Sequence, residues 1–493
     1  MMDIRAFWGA WMGIFACLFM ADFAPGESNS EVAKPNIIFF FADDLGWTDL
    51  GCFGSSFYET PHLDQMAKEG VRLTQAYASC PVCSPTRASI LTGLWPQRTG
   101  ITDYIGALQP TKWKRNTKLL PAPYRDRLDH SFVSMAEVVK ANGYQTFFAG
   151  KWHLGPQGFW PEDQGFDINR GGIDRGGPYG GSKYFSPYEN PRLTDGPSGE
   201  HLPDRLAQEA CSFMEQHRSS PFLIYFPFYS VHTPLMARPD LQTKYEEKAK
   251  RLGTEVEWGV EGQRKVRQTQ NHAVYAGMVE AMDQAVGRVL AQLDQLGLKE
   301  NTLVVFTSDN GGLSTSEGHP TSNLPLRGGK GWLYEGGIRV PTLMRWPNHI
   351  PQNTVCSVPV ASPDWLPTIA AACTIESPAD VVWDGVNILP TVREQSRLSD
   401  RNLYWHYPHY GNQGGRPGGA IRSGPWKLIE WYDDGSRELY DVEKDIGERN
   451  DLSRDNARRV QEMAKDLDTW RQRVGAIMPT INNEYSANKK EER

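Results

Sequence analysis

The chain has 493 residues, of which 39% are hydrophobic and 23% charged, proportions typical of a globular protein with a large core. Its formal net charge of -7 argues against a nucleic-acid partner, because proteins that bind nucleic acid usually carry a basic excess. Seven cysteines are few for a chain of this length, so disulfides are not its main source of stability; one pair, Cys356 with Cys373, is a candidate.

The N-terminal segment resembles an export signal. Its run from Ala6 to Ala21 is uncharged and mostly apolar, and a polar stretch follows. The run is shorter than the ~20 residues that a membrane-spanning helix needs, which favours a signal peptide over a stable membrane span. We therefore predict a signal peptide over residues 1–24 and a periplasmic, cell-surface or secreted location. The cleavage point and lipid attachment at Cys17 stay open.

Strand-like and helix-like segments alternate along the chain, which predicts an α/β fold with a large, mostly parallel central sheet flanked by helices. Continuous apolar runs, typical of buried parallel strands, occupy residues 36–42, 221–228 and 302–307. Polar residues follow each run directly, at the position where open α/β sheets bind their ligands.

Other elements are predicted from periodicity and from helix start and stop signals. A strand is predicted over residues 71–77 and a helix over 85–92, beginning just after Cys83. Apolar residues at helical spacing predict a long helix over 275–296 that stops at Gly297.

Acidic and amide side chains follow two of the apolar runs. Asp43 and Asp44 come directly after the first run, and Asp309 and Asn310 follow the third. Adjacent carboxylates repel one another unless a cation lies between them. Four oxygen-bearing side chains without a histidine indicate a hard cation such as Ca²⁺ or Mg²⁺ rather than zinc.

The segment Cys80-Pro-Val-Cys83 is compatible with three kinds of site. The first is a redox dithiol and the second is half of a zinc site. In the third, only one of the two cysteines is chemically active. A four-cysteine zinc site needs a second close pair, which the sequence lacks. A group at position 83 would stand at a helix N-terminus, which favours an anion, and Arg87 can reach back along the same helix face.

The segment that begins at Cys83 resembles a known signature. Cys83-Ser-Pro-Thr-Arg87 matches the Cys-x-Pro-x-Arg pattern of the type I sulfatases of the alkaline phosphatase superfamily, and residues 88–93 match its extension. Further matches to that family are Ala42-Asp-Asp-Leu-Gly-Trp47, Gly150-Lys-Trp-His-Leu-Gly155, Val231-His-Thr-Pro234, Ser308-Asp-Asn-Gly-Gly312 and Leu326-Arg-Gly-Gly-Lys-Gly331. The resemblance extends from about residue 34 to residue 453, and the chain is similar to the bacterial arylsulfatase and N-acetylgalactosamine-6-sulfatase-like branch.

The resemblance implies an alkaline-phosphatase-like sandwich and a formylglycine-dependent site. In that family a maturation enzyme oxidises the signature cysteine, here Cys83, to Cα-formylglycine, so Cys80 would be a bystander. One Ca²⁺ is expected, with Mg²⁺ as the alternative, and the residues implied to bind it are Asp43, Asp44, Cys83, Asp309 and Asn310. The implied catalytic residues are Cys83, Arg87, Lys151, His153, His232 and Lys330.

The resemblance further implies a sulfuric ester hydrolase that acts on a sulfated saccharide or an aryl sulfate. The hydrated aldehyde at position 83 would attack sulfur and form a covalent sulfo-enzyme intermediate with Ca²⁺ assistance. Two alternatives remain, a phosphonate or phosphate ester hydrolase of the same superfamily and an unmodified glycan-binding protein. The phosphonate relatives place a histidine where this chain has Asn310, and no expected catalytic residue is missing.

The implied domain organisation is a catalytic domain followed by a smaller unit. The catalytic domain is expected over residues 34–379 and a C-terminal subdomain over 380–480, with a disordered tail over 481–493. Short aromatic runs and a charged helix predict a small antiparallel sheet and one helix in the subdomain, at residues 420–429, 438–441 and 457–470.

Two features are candidates for the substrate mouth. They are the pair His406 and His409 with nearby Arg416, and the glycine-rich loop Gly171–Gly181, for which an ordinary flexible connection is an equal alternative. A basic stretch over residues 112–127 offers local charge for an anionic substrate, although a charge run is more often a solvated loop. Together with the predicted export and the many aromatic residues, the basic stretch indicates a sulfated carbohydrate as substrate.

Overall fold

The computed structural model describes residues 34–378, 380–394, 398 and 401–487. The predicted signal peptide and Cys17 lie outside the described residues. Within the described ranges, no helix is both long enough and apolar enough to cross a membrane.

Strands alternate with helices through most of the chain, as the sequence pattern predicts. The strands are β1 Asn36–Ala42, β2 Val71–Tyr77, β3 Leu119–Leu120, β4 Gln145–Ala149, β5 Ile168–Arg170, β6 Phe222–Pro227, β7 Trp258–Glu261, β8 Arg264–Arg267, β9 Thr302–Ser308, β10 Arg339–Arg345, β11 Thr354–Cys356, β12 Val360–Ala361, β13 Leu403–Tyr407, β14 Gly418–Ser423, β15 Trp426–Trp431, β16 Arg437–Asp441 and β17 Thr480–Ile481. The three apolar runs of the sequence correspond to β1, β6 and β9.

The three predicted helices, over 85–92, 275–296 and 457–470, correspond to three of the described helices within three residues at each end. They are α1 Pro61–Lys68, α2 Cys83–Thr92, α3 Pro96–Thr99, α4 Met135–Lys140, α5 Leu202–Gln216, α6 Pro239–Leu252, α7 Ala273–Gln295, α8 Glu335–Ile338, α9 Trp365–Ala372, α10 Leu389–Glu394 and α11 Ala457–Arg473. The helix predicted after Cys83 starts at Cys83 itself, with Val82 in an extended conformation as its N-cap.

The central sheet contains nine strands, in the order β11-β2-β10-β9-β1-β6-β4-β5, with β12 also paired to β2. Strand β1 pairs in parallel with both β6 and β9, and β4 pairs in parallel with β5 and β6. Strand β10 runs antiparallel to its neighbours β9 and β2. The predicted mostly parallel sheet is therefore confirmed. The carboxyl ends of its central parallel strands, β9, β1, β6 and β4, lie at one edge.

Strand β1 is buried on both faces of this sheet, because helices cover each side. Ile38 and Phe40 pack in a core with α1, α5 and α7, whereas Phe39 and Phe41 pack on the opposite side with α2, α4 and α9. Every residue of β1 is buried, which explains why its sequence is continuously apolar rather than alternating.

The C-terminal part forms a second, antiparallel sheet in the order β13-β14-β15-β16, packed against α11. The aromatic run at 420–429 was predicted as one β-like segment, but it contains a hairpin between β14 and β15. The turn passes through Gly424, which has a φ of +56°, a left-handed conformation that glycine tolerates without penalty.

Two local predictions differ from the structure. Cys356 and Cys373 are both free thiols, so the candidate disulfide is not formed. The predicted disordered tail starts at 481, yet β17 pairs with β3, and Ser486 donates its backbone N–H to Asn116 Oδ1 at 2.9 Å. The tail is therefore packed through these contacts, and residues 488–493 lie outside the described part. The other domain boundaries stay predictions.

Candidate active site

The candidate site lies at the carboxyl ends of the central parallel strands. Asp43 and Asp44 follow β1, His232 lies beyond β6, and Asp309 follows β9 directly. Helix α2 and the loops after β4 and β9 bring the remaining predicted side chains, which are Cys83, Arg87, Lys151, His153, Asn310 and Lys330. All ten residues predicted from the sequence are at most 8% exposed.

Three buried carboxylates are matched by three buried cations. The hydrogen-bonded pairs are Arg87 Nη2 with Asp309 Oδ2 at 2.7 Å, Lys151 Nζ with Asp43 Oδ2 at 2.7 Å, and Lys330 Nζ with Asp44 Oδ2 at 2.8 Å. Burial would by itself raise the pKa of Asp44, but Lys330, His232 and Lys151 outweigh it and hold that pKa well below its usual value. These six groups alone are nearly balanced in charge, so a further cation would make the site attractive to an anion.

Two side-chain oxygens in this cluster lack hydrogen-bond partners. Asp43 Oδ1 and Asn310 Oδ1 are both buried and accept no hydrogen bond from any described residue. The amide nitrogen of Asn310 donates to Asp44 Oδ1 at 2.8 Å, which turns the amide oxygen away from Asp44. Buried polar atoms rarely stay unpaired in a finished protein, so these oxygens fit the coordination of a hard cation.

Cys83 and His232 lie close enough to Asp43 and Asp44 for one metal ion to contact all four side chains. One ligand atom from each of Asp43, Asp44, Cys83 and His232 lies within 4.8 Å of the others. The sequence assigned His232 to catalysis and not to metal binding. Its Nε2 lies 3.7 Å from Asp44 Oδ2, so the structure adds His232 to the residues near enough to hold a cation.

The two histidines have defined tautomers. His153 Nε2 donates to the Ile105 carbonyl at 2.8 Å, which leaves Nδ1 as a buried acceptor without a described partner. His232 Nδ1 donates to the Thr233 carbonyl at 2.7 Å, so Nε2 faces the site. Burial and the neighbouring lysines lower the pKa of both imidazoles well below the usual value, which keeps the rings neutral near pH 7.

The surroundings of the two cysteines argue against the redox interpretation. Burial raises the pKa of the Cys83 thiol to about 11, and burial also raises the pKa of Cys80 well above its usual value. A reactive dithiol needs a lowered thiol pKa. Cys80 is absent from the metal-sized cluster of the described residues, which removes the zinc half-site as well.

Two of the predicted residues are among the ten described non-glycine residues with a positive φ. Asp44 has a φ of +62° and His153 a φ of +57°, in the left-handed region that non-glycine residues seldom occupy. Such conformations persist where surrounding contacts over-determine them, and they cluster at functional sites. Both residues stand just beyond the ends of central strands, where the chain must turn sharply to present their side chains.

A cavity of about 260 Å³ opens above Cys83. Its deep wall includes His153, His232 and Lys330, and its outer wall is formed by residues for which the sequence had no signal, namely Tyr104, Ile105, Glu317, Asn412 and Gln413. The glycine-rich loop predicted as a rim contributes Gly176 and Tyr179. The outer residues lie on loops far apart in sequence, so neither spacing nor periodicity could have identified them.

Three residues predicted for the mouth lie elsewhere. His406 is buried between the Tyr432 hydroxyl, 2.6 Å from Nδ1, and the Ile477 carbonyl, 3.0 Å from Nε2. His409 contacts the Thr102 hydroxyl through Nε2 at 2.9 Å, and Arg416 pairs with two aspartates. Residues 112–127 contribute nothing to the cavity wall among the described residues. The mouth prediction was wrong for His406, His409 and Arg416, because their polar atoms pair with other residues and do not line the cavity.

Comparison with known proteins places this geometry in a family. The family model described as Sulfatase matches residues 35–375, and the model described as N-sulphoglucosamine sulphohydrolase, C-terminal, matches residues 329–473. A Sulfatase from Formosa agariphila is 34% identical over 513 aligned residues, covering 90% of this chain and 89% of the relative. The N-acetylgalactosamine-6-sulfatase of Rattus norvegicus is 32% identical, covering 76% and 68% of the two chains.

A similar architecture occurs among solved structures. The crystal structure of Ps i-CgsB, which is also known in complex with k-i-k-neocarrahexaose, matches with a TM-score of 0.72 and 28% identity, covering 89% of this chain and 92% of that one. Its agreement with the central sheet and the C-terminal sheet confirms the alkaline-phosphatase-like fold class. The chain belongs to the type I sulfatase family and is a sulfuric ester hydrolase.

Proposed function

We propose that the protein hydrolyses sulfate esters of a saccharide, using Cα-formylglycine formed from Cys83 and one Ca²⁺. The observation that carries this proposal is the position of Cys83, at the start of α2 and in the wall of a cavity that is also lined by Lys330 and by the neutral His153 and His232. As an unmodified thiol with a raised pKa, Cys83 would be a poor nucleophile there. A formylglycine-generating maturation enzyme is therefore a required partner.

The residues around Cys83 are suited to hold a sulfuryl group. Lys330 lines the cavity, and Lys151 and Arg87 supply further positive charge beneath it. Their ammonium and guanidinium groups are fixed by hydrogen bonds to aspartates, so they need little reorganisation as charge develops on the sulfate oxygens. A bound cation would supply additional positive charge for the same oxygens, with Asp43, Asp44, Asp309 and Asn310 as its ligands and position 83 beside it.

A formylglycine hydrate supplies two hydroxyl groups on one carbon, one to attack sulfur and one to release the sulfate. His153 can accept a proton at Nδ1, because its Nε2 is held by the Ile105 carbonyl. Lys330 Nζ lines the cavity and can donate a proton to the oxygen of the leaving alcohol, whereas the neutral His232, whose ring proton is held at Nδ1, offers Nε2 as an acceptor. In this proposal the sulfate ester binds between Lys330 as proton donor and the two imidazoles as proton acceptors.

A saccharide is the substrate class named for two of the relatives described above. Ps i-CgsB binds k-i-k-neocarrahexaose, and the rat relative is named for N-acetylgalactosamine 6-sulfate. Hydroxyl-rich sugars also suit the polar outer wall of Tyr104, Asn412 and Gln413. An aryl sulfate is expected to serve as an assay substrate, and the exported location predicted from the N-terminus would expose the protein to extracellular glycans.

The decisive experiment is mass spectrometry of the tryptic peptide from Leu73 to Arg87, using protein co-expressed with a formylglycine-generating maturase. We expect an aldehyde at position 83 and hydrolysis of para-nitrophenyl sulfate. The Cys83→Ala variant should lose activity, whereas Cys80→Ala should keep it. A thiol at position 83 in active protein, or a disulfide with Cys80, would contradict the formylglycine proposal.

A further inference from the structure

The cavity presents positive charge at its floor and negative charge at its mouth. Lys330 is the one lysine or arginine among the described lining residues, and it is paired with Asp44 at the floor. Glu317 is the one carboxylate of that lining, and it is exposed at the outer end. A substrate whose sulfate is bound near Cys83 and Lys330 therefore places its remaining part beside Glu317, and the described lining holds no second lysine or arginine.

The backbone that carries Glu317 is held in an unfavourable conformation. Glu317 has a φ of +52° and His319 a φ of +49°, with Gly318 at +90° between them. The loop is fixed by a hydrogen bond from the His319 N–H to the Ser316 carbonyl at 2.8 Å, and by Arg267, which donates to the His319 carbonyl. Consecutive left-handed residues outside a glycine run indicate that the position of this side chain is over-determined by its surroundings.

A buried glutamine orients the carboxylate. Gln413, which is 3% exposed, donates its side-chain amide to Glu317 Oε1 at 2.6 Å. Its own backbone carbonyl accepts hydrogen bonds from the Thr315 hydroxyl and the Trp332 indole, so the glutamine is itself held in place. No other described residue donates to Glu317 Oε2, which leaves that oxygen as an acceptor at the cavity mouth.

We propose that Glu317 is a specificity-determining residue that selects esters whose alcohol part is uncharged near the mouth. Sugar hydroxyls can donate to Oε2, whereas a carboxylate or a second sulfate would be repelled by the like charge of Glu317. The inference rests on the proposed function and narrows its substrate to a monosulfated sugar unit without a neighbouring anionic group. Glu317 acts on substrate choice and not on the chemistry at position 83.

The test is a charge series at this position, Glu317→Gln and Glu317→Lys, in matured full-length protein. For wild type and each variant, kcat/KM is measured with para-nitrophenyl sulfate and with para-carboxyphenyl sulfate. The value for the carboxylated ester divided by that for the nitrophenyl ester is compared, because effects common to both esters cancel in this ratio. We expect the relative rate on the carboxylated ester to rise about tenfold for each unit of charge added. The rise should shrink at high ionic strength, because salt screens exposed charges.

A matched control separates local charge from general effects. Glu462→Gln changes an exposed glutamate of α11 that is 60% exposed and pairs with Arg458, and it should leave the ratio unchanged. A ratio that is the same in wild type, Glu317→Gln and Glu317→Lys, or that does not respond to salt, would overturn the proposal.

A binding measurement keeps this test independent of turnover. Calorimetric Kd values for benzenesulfonate and para-carboxybenzenesulfonate, which cannot be hydrolysed, should show the same dependence on the charge at position 317. Failure of the wild type to hydrolyse any sulfate ester would count against the proposed function, while the binding series would still decide the role of Glu317. If the ratio of the two Kd values is the same in wild type, Glu317→Gln and Glu317→Lys, the proposed role of Glu317 is refuted.

Discussion

At the residue scale, two buried oxygens without hydrogen-bond donors are the reason we expect a bound cation to stabilise the fold. Asp43 Oδ1 and Asn310 Oδ1 are buried without a hydrogen-bond donor among the described residues. Leaving such atoms unpaired costs free energy, commonly about 1–3 kcal/mol for each group. A cation that binds both oxygens should therefore stabilise the fold as well as prepare the site.

We expect Ca²⁺ to raise the Tm of chelator-treated protein, and Asn310→Ala to weaken Ca²⁺ binding by about tenfold or more. The physical reason is the loss of one candidate ligand oxygen from the cluster. Calorimetric titration with Ca²⁺ and with Mg²⁺ measures the effect, and Asn450→Ala, an exposed loop substitution, is the control. Equal Ca²⁺ affinity in wild type and Asn310→Ala would remove Asn310 from the ligand set.

Histidine burial makes the stability of the fold sensitive to acid. Burial lowers the pKa of His406 from its usual 6.5 to about 4, so this ring stays neutral in the folded protein. The unfolded chain takes up the proton below pH 6.5, so the contribution to stability is present above pH 6.5 and is lost as the pH falls towards 4. Between pH 7.5 and pH 5 the loss is about 2 kcal/mol for one such histidine.

His406→Gln should therefore flatten the pH dependence of stability. Urea unfolding at several pH values between 7.5 and 5 gives the free energy of unfolding for both proteins, and the slopes rather than the absolute values are compared. The variant removes one proton-binding group from the unfolded state, so its slope should be shallower. Parallel curves for the two proteins would show that His406 does not carry the effect.

At the scale of elements, a glycine after β4 allows the loop with Lys151 and His153 to approach β6. Gly150 has a φ of +123°, and a Cβ placed there would lie 1.9 Å from the Pro227 carbonyl oxygen. The Lys151 N–H donates to that same carbonyl at 2.7 Å. The close contact between the ends of β4 and β6 thus sets the positions of Lys151, a predicted cation, and His153, a predicted base.

Gly150→Ala should lower both stability and activity, because the added methyl group forces the loop away from β6. We expect a destabilisation of about 2 kcal/mol or more and a loss of kcat larger than the stability change alone explains. Thermal unfolding and para-nitrophenyl sulfate kinetics measure the two effects. Gly158→Ala is a suitable control, since Gly158 has a φ of +92° but nothing within 4 Å of the added carbon. Similar losses in both variants would mean that backbone strain, and not the contact with Pro227, is responsible.

At the scale of the whole molecule, a buried ion cluster joins the C-terminal sheet to the segment after Lys330. Lys427 Nζ on β15 contacts Glu335 Oε1 at 3.0 Å and Glu448 Oε1 at 2.8 Å, and all three side chains are fully buried. Arg339 pairs with Glu335 from the opposite side. The described residues from 34 onward cluster in one compact unit, and this network is one physical reason.

Lys427→Met should destabilise the protein strongly, because it leaves two buried carboxylates without their shared cation. The expected loss is about 3–5 kcal/mol, the range found when one partner of a buried pair is removed. Arg458→Ala, which breaks the exposed pair with Glu462, should cost less than about 1 kcal/mol. Urea unfolding of both variants measures the difference. A small effect of Lys427→Met would show that relaxation or water replaces the missing charge.

Much of the site could be predicted because its residues lie in short, contiguous motifs. Asp43, Asp44, Cys83 and Arg87 follow apolar strands or open a helix, and strand ends of a parallel sheet converge on one edge. Glu317, Asn412 and Tyr104 could not be found this way. They reach the cavity from separate loops, and loop paths depend on contacts between distant residues that no local pattern encodes.

The sequence by itself determined the parallel sheet, the burial of its central strands, and the set of ionisable residues that follow those strands, because periodicity and strand-end chemistry are local properties. Only the tertiary structure decided which charges pair, which oxygens stay unpaired, and which loops surround the cavity. Packing also decided that His406 and His409 stabilise the C-terminal part rather than face a substrate. These outcomes depend on three-dimensional proximity and desolvation, which arise when segments far apart in the chain come together.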